Sequence, residues 1–242
     1  MARHRTQIWP NLVLWAFAKA HPISINRTEK EAITEMDQKS FTHEIEIEDL
    51  LIYRLVVGPI DNNVYIVRSK STGESVLIDA ANEHERLLEV AQNLGVKLVL
   101  ETHGHWDHIG AVSEVRDAGY EVYVAKEDAR LLPSYDQLLS HEDVIEVGGL
   151  RIRQIWTPGH TPGSYSFAVE GYPVLFTGDT LFPGGPGTTV LEGGDFSAII
   201  RSIENEIFSK FAGETVIFPG HGESSTIAKE APNLQSWIDR GW

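Results

Sequence analysis

Between residues 103 and 108 the chain reads HGHWDH, three imidazoles and a carboxylate in six positions. The stretch follows VKLVLE (96–101), a continuously apolar run of the kind buried on both faces of a sheet. Four ligand-type side chains this close cannot all face one way on a strand or a helix. In a turn leaving a strand they converge from different directions. His103 and His105, two apart, share one face of an extended segment. Asp107 and His108 fall where the chain turns into the next helix. The residues therefore read as two clusters, His103 with His105 and Asp107 with His108, each an incomplete metal site. Any fold open to this chain has to bring further ligands to the end of that strand.

There is no cysteine, which excludes a disulfide framework, a thiolate zinc ribbon and a thiol nucleophile. A metal must be held by His, Asp or Glu, the harder ligands. Three more stretches offer them at strand-to-loop junctions: His160 in TPGHTPGS (157–164), Asp179 in LFTGDTLF (175–182) and His221 in FPGHGESS (218–225). Singly, each histidine reads as a polar loop residue beside Gly or Pro, and Asp179 as a turn residue or cap. Jointly they follow buried strands, where a rigid scaffold can aim them at a common point. The remaining histidines, His4, His21, His43, His84 and His141, lack such a setting and read as ordinary polar residues.

The surrounding pattern is mixed. Strand-like runs are EIEIEDLLIYRLVVG (44–58), NVYIV (63–67), SVLIDA (75–80), EVYVA (121–125), LRIRQIWTPG (150–159), SYSFAVEG (164–171), YPVLFTGD (172–179) and ETVIFPG (214–220). Helical runs are NEHERLLEVAQNLG (82–95), with Leu87, Leu88, Ala91 and Leu94 on one face and Gly95 as its stop, and IGAVSEVRDAG (109–119). A third is DFSAIIRSIENEIFSKF (195–211), with Asp195 as N-cap and Ile199, Ile203 and Ile207 inward. Two similar halves imply two packed sheets with helices outside. Residues 1–43 read as an extension of unassigned function and 44–242 as one domain. MARHRTQ and LVLWAFA have the parts of a secretory signal, but Pro10 and Asn11 interrupt them, so a cytoplasmic location is expected. No run suits stable membrane insertion. A formal net charge of −15 disfavours nucleic-acid binding.

Together, THGHWDHIG, TPGHTPGS, FTGDTLF and FPGHG resemble the metallo-β-lactamase-fold superfamily, in the branch of short, single-domain glyoxalase II-like (hydroxyacylglutathione hydrolase-like) enzymes. The resemblance runs from about residue 50 onward. It implies an α/β fold, an αββα four-layer sandwich of two mixed sheets flanked by helices, with a binuclear metal site at one edge. It also implies ligands: His103, His105 and His160 for one ion, Asp107, His108 and His221 for the other, and Asp179 bridging. Asp79 matches a family aspartate that supports the ligands from behind. The implied cofactors are two divalent ions, zinc first, with iron or manganese as alternatives.

The implied reaction is hydrolysis of a thioester or related ester bond in a small molecule such as a glutathione thioester, with a metal-bridging hydroxide as nucleophile and Asp107 and Asp179 as catalytic carboxylates. Thiolate-ligand β-lactamases need a cysteine, and a bridging Asp179 is unlike the true β-lactamases. Flavodiiron proteins carry a carboxylate where His105 stands, and the nucleases are basic with a large insertion. Full-length glyoxalase II adds a helical glutathione-binding domain, whereas this chain runs only 21 residues beyond His221. The loop TLFPGGPGTTVLEGGD (180–195) also lacks the basic and tyrosine residues that grip glutathione in the longer enzymes. Three alternatives stand beside hydrolysis of a thioester: a persulfide dioxygenase with one iron on His103, His160 and Asp179, a lactone hydrolase, and a metal-binding protein without catalysis. Oligomeric state is not legible.

Overall fold

The computed structural model describes residues 42–241. The signal-like start and the expected extension up to residue 41 lie outside the described residues. The run read as one strand over 44–58 is a hairpin: β1 (Thr42–Ile47) pairs antiparallel with β2 (Leu50–Val57). Its two-residue turn places Glu48 at φ 50 with neither Gly nor Asn present, so the usual hairpin signal is missing. Instead the Asp49 carboxylate accepts hydrogen bonds from Ser69 Oγ (2.6 Å) and Ser71 N (2.7 Å) and fastens the turn from the neighbouring loop.

The first sheet continues through β3 (Asn62–Ser69), β4 (Ser75–Ile78), β5 (Val96–Leu100), β6 (Glu121–Val124) and β7 (Gln137–Leu138) in spatial order β1 to β7. It is antiparallel up to β4 and parallel beyond. Helix α1 (His84–Leu94) crosses from β4 to β5 and stops at Gly95, whose left-handed φ of 72 lets its N–H reach the Ala91 carbonyl. Its buried face is Leu87, Val90, Ala91 and Leu94; Leu88 is only half-buried, and Val90 takes the place expected for it. Helix α2 (Val112–Asp117) links β5 to β6.

The second sheet holds β8 (Val144–Val147), β9 (Leu150–Trp156), β10 (Tyr165–Val169) and β11 (Val174–Gly178). A small hairpin of β12 (Leu181–Phe182) and β13 (Gly185–Pro186) precedes helix α3 (Phe196–Ser202). Then β14 (Val216–Pro219), β15 (Ser225–Thr226), α4 (Ile227–Glu230) and α5 (Leu234–Arg240) complete the order β15-β14-β11-β10-β9-β8. Strand β8 carries little sequence signal because only Val147 among its residues is fully buried. Asp195 caps α3 by accepting from Ala198 N at 2.9 Å, and Ile203–Phe208 continue it in wider π turns.

The expected αββα sandwich is the architecture found. Between the sheets, Ile52, Val67, Ile78 and Leu100 meet Phe167, Phe176 and Phe218, with the Tyr65 ring 5.2 and 5.4 Å from those of Phe176 and Phe218. Outside the second sheet, Leu175 and Ile217 pack with Ile199, Ile203 and Ile207, as the four-residue spacing requires, and with Trp237 of α5. Strands β4 and β5 in one sheet and β11 and β14 in the other run parallel, so their carboxyl ends lie at one edge. There the sheets are tied by Tyr165 N to Thr102 O (2.7 Å), Asn63 N to Gly220 O (2.7 Å) and Tyr65 Oη to Pro219 O (2.8 Å). Carboxyl edges of parallel strands are where α/β folds place their ligands.

Candidate metal centre

All seven ligand candidates lie at that edge, in the loops leaving β5, β9, β11 and β14. Their polar atoms form three overlapping groups, each with atoms within 4.8 Å of one another: His103, His105 and His160; Asp107, His108 and His221; and His103, His108 and Asp179. The pairs that the sequence separates thus acquire one histidine each from the other sheet. Asp179 lies between them, with Oδ1 3.5 Å from His108 Nε2 and Oδ2 3.5 Å from His160 Nε2 and 3.8 Å from His221 Nε2. Asp107 Oδ2 is 3.3 Å from both His108 Nε2 and His221 Nε2.

The outward nitrogens of these rings are already engaged. His108 Nδ1 lies 2.8 Å from Asp79 Oδ2, His160 Nδ1 2.8 Å from the Thr188 carbonyl, and His221 Nδ1 3.1 Å from the Ile60 carbonyl. Carbonyls and a carboxylate accept, so Nδ1 carries a proton and Nε2 faces inward, where losing any proton of its own to an incoming ion would leave the lone pair a ligand needs. His105 differs: it turns Nδ1 inward, 2.8 Å from His160 Nε2. His103 Nε2, His108 Nε2 and Asp179 Oδ1 are buried with no hydrogen-bond partner among the described residues. Each such atom left unsatisfied costs about 1–3 kcal/mol, a cost that bound divalent cations would remove. The donor set of imidazoles and carboxylates fits a divalent metal.

Without an ion the cluster is electrostatically divided. Burial and the neighbouring imidazoles His108, His160 and His105 push His103 well below the usual histidine range. Burial works against a proton on His108 too, but Asp179, Asp79 and Asp107 outweigh it and lift His108 to about 9. For Asp107 burial opposes ionisation, and the hydrogen bond with His221, the His108 charge and Asn62 overcome it and hold the carboxyl below the ordinary range. A divalent ion would take over the charge that the His108 proton supplies in its absence.

Asp79 follows β4 in a left-handed conformation, φ 65, that non-glycine residues seldom adopt. From there Oδ1 accepts from Thr102 N (2.6 Å), and Oδ2 accepts from Thr102 Oγ1 (2.8 Å) and faces His108 Nδ1. Asp79→Asn is isosteric and tolerates that φ, but its amide N–H₂ has to face one of these donors. Where it faces His108, the ring is driven to the other tautomer and Nε2 loses its lone pair. Metal affinity is expected to fall about 10- to 100-fold, measured by competition with a chromophoric chelator.

Asn62 went unread in the sequence. Its Nδ2 donates to Asp107 Oδ2 at 2.9 Å and lies 3.4 Å from His221 Nε2, and the residue forms a lone β-bridge with His221. Its signal is faint, an asparagine at the first position of a strand. The carbonyls of Ile60 and Thr188 carry no signal, since a backbone acceptor has no residue type. His141, read as ordinary, sits with Glu142 and Glu206 in an exposed group, where Lys210 Nζ reaches Glu142 (2.9 Å) and Glu206 (2.5 Å). That group is a salt-bridge network. No helix among the described residues is long and apolar enough to cross a membrane.

Comparison with known proteins gives a consistent result. The model of the metallo-beta-lactamase superfamily matches residues 57–221. The hydroxyacylglutathione hydrolase GloC of Haemophilus influenzae is 31% identical over 178 residues, 64% of this chain and 84% of that protein. Among solved structures, BLEG-1, described as a B3 metallo-beta-lactamase, superposes with a TM-score of 0.68 at 32% identity, over 75% of this chain and 96% of its own. TTHA1623, solved in a di-iron-bound form, gives a TM-score of 0.65 at 30% identity, over 74% of this chain and 96% of its own.

Proposed function

Since this chain belongs to the metallo-beta-lactamase superfamily and is a metal-dependent hydrolase of it, we propose that its substrate bond is a thioester or a related ester and that two divalent ions serve the reaction. The observation that carries this reading is the position of Asp179, within 3.8 Å of imidazoles from both ligand groups. In it, His103, His105 and His160 would hold one ion and Asp107, His108 and His221 the other, with Asp179 within reach of both groups. The likeness to TTHA1623 in its di-iron-bound form supports two ions, with zinc, iron and manganese all compatible with the ligands.

A divalent ion, when bound, would bring the pKa of water down to about 7 and polarise a carbonyl oxygen. The protein's share is orientation. Asp79, Thr188 and Ile60 fix three ring tautomers, and Asn62 fixes Asp107. Asp107 and Asp179 supply acceptor oxygens that orient the attacking water. A thiol leaving group ionises near pH 8.5, so it departs without a general acid, and no such acid is required of this chain.

The likeness to GloC makes a hydroxyacylglutathione the first substrate to try. The 180–195 loop holds no Lys or Arg, and Trp106 (63% exposed) and Val190 (79% exposed) put apolar surface on ligand-bearing loops, which favours an acyl group over an anionic carrier as the recognised part. The test is a paired assay on metal-defined protein: S-lactoylglutathione hydrolysis beside oxygen uptake with glutathione persulfide, with a lactone and, given BLEG-1, nitrocefin as further arms. Thioester hydrolysis without oxygen uptake is expected. Oxygen uptake with the thioester untouched overturns the reading in favour of a mononuclear-iron dioxygenase. Turnover confined to nitrocefin or the lactone overturns the thioester, and no turnover in any arm favours a non-catalytic metal protein.

A further inference from the structure

Asp128 is a carboxylate that is 1% exposed and lies outside the ligand set. It follows β6, at the far side of the first sheet, and among the described residues the donors to its carboxylate all lie in ligand-bearing loops. Its Oδ2 accepts from Gly104 N at 2.9 Å and from Thr161 Oγ1 at 2.7 Å, and its Oδ1 accepts from Gly163 N at 2.9 Å. Gly104 stands between His103 and His105, and Thr161 directly follows His160. One buried carboxylate thus joins the loop after β5 in one sheet to the loop after β9 in the other.

The two glycines show how closely it is fitted. Neither has a left-handed φ, so conformation alone does not demand glycine there. A Cβ on Gly163 would overlap Asp128 Cγ and stand 2.6 Å from Oδ1; one on Gly104 would stand 3.0 Å from Asp128 Cβ and 2.9 Å from Leu131 Cδ1. Glycine at both positions leaves the space that the carboxylate fills.

We infer that Asp128 is a positioning residue for one ion alone, fixing the His103/His105 loop against His160 while the Asp107/His108/His221 group depends on Asp79 and Asn62. This rests on the proposed ligand set, where His103, His105 and His160 come from two loops that no other buried carboxylate among the described residues joins directly. A carboxylate accepts from all three donors. An asparagine cannot, since its N–H₂ must face at least one of the N–H groups of Gly104 and Gly163.

The test uses the full chain with zinc as the probe, counting ions by mass spectrometry and measuring affinity by chelator competition. His103→Ala and His221→Ala identify the ion each group holds. In Asp128→Asn the ion lost in His103→Ala is expected to bind about 10- to 100-fold more weakly, with the other unchanged. Thr161→Val removes one of the three hydrogen bonds with little change of volume and is expected to act in the same direction more mildly, which keeps the test available should Asp128→Asn not fold. Melting of the metal-free proteins by circular dichroism separates loss of fold from loss of site. Wild-type affinity for that ion in both variants, or an equal loss at both ions, overturns the role of Asp128. If His103→Ala retains every ion, the ligand set itself fails, and the role falls with it.

Discussion

Asp179→Ala is expected to release metal from both groups and to lower turnover about a thousand-fold or more. The size follows from position. A ligand held by one group should cost one ion when removed, whereas Asp179 reaches His108 and His221 on one side and His160 on the other. Losing the charge stabilisation a metal supplies, several kcal/mol, corresponds to about a thousand-fold at 1.36 kcal/mol per decade. Alanine also leaves His108 without the largest of the carboxylate influences that raise its pKa. Metal content and turnover measured on one preparation check both halves. Two ions retained with most of the activity would remove Asp179 from its proposed place between the groups.

The candidate ligands were legible because their chemistry is carried by side chains and because crowding them is costly without a use. The split of HGHWDH into two pairs came from backbone geometry alone, since a strand leaving its sheet cannot direct four side chains to one point. Other features were written in interactions without residue type. The carbonyls of Ile60 and Thr188 hold His221 and His160 in their tautomers, yet any residue could supply them. The hairpin at Glu48 and Asp49 was hidden because its turn is secured from outside, by Ser69 and Ser71, rather than by its own residues. Strand β8 was hidden because it is only four residues long and mostly half-buried, and its place is set by pairing with β9. Helix α3 was read through its isoleucines, whose four-residue spacing survives the change from α to π turns.

Gly220 illustrates a residue whose letter was legible and whose reason was not. In FPGHG it stands beside His221, and its φ is not left-handed, so backbone flexibility is not what the position demands. A Cβ there would overlap Asp179 Oδ1 and stand 2.7 Å from His108 Cε1. Its N–H is also bound to the Gly178 carbonyl at 2.9 Å and its carbonyl to Asn63 N at 2.7 Å, so the backbone has little freedom to retreat. Gly220→Ala therefore adds one methyl group to which both the Asp179 carboxylate and the His108 ring must yield. A shift on the order of 1 Å in a catalytic group costs about a hundred-fold in rate, and that loss is expected here, with weaker binding of both ions. The metal-free protein should melt close to wild type, because the groups that must shift, Asp179 and His108, are side chains of the site and not of the apolar core. Metal affinity, turnover and melting on the same variant test this: wild-type metal affinity would show that the site accommodates the methyl group, and a collapsed melting temperature would place the strain in the backbone instead of the carboxylate.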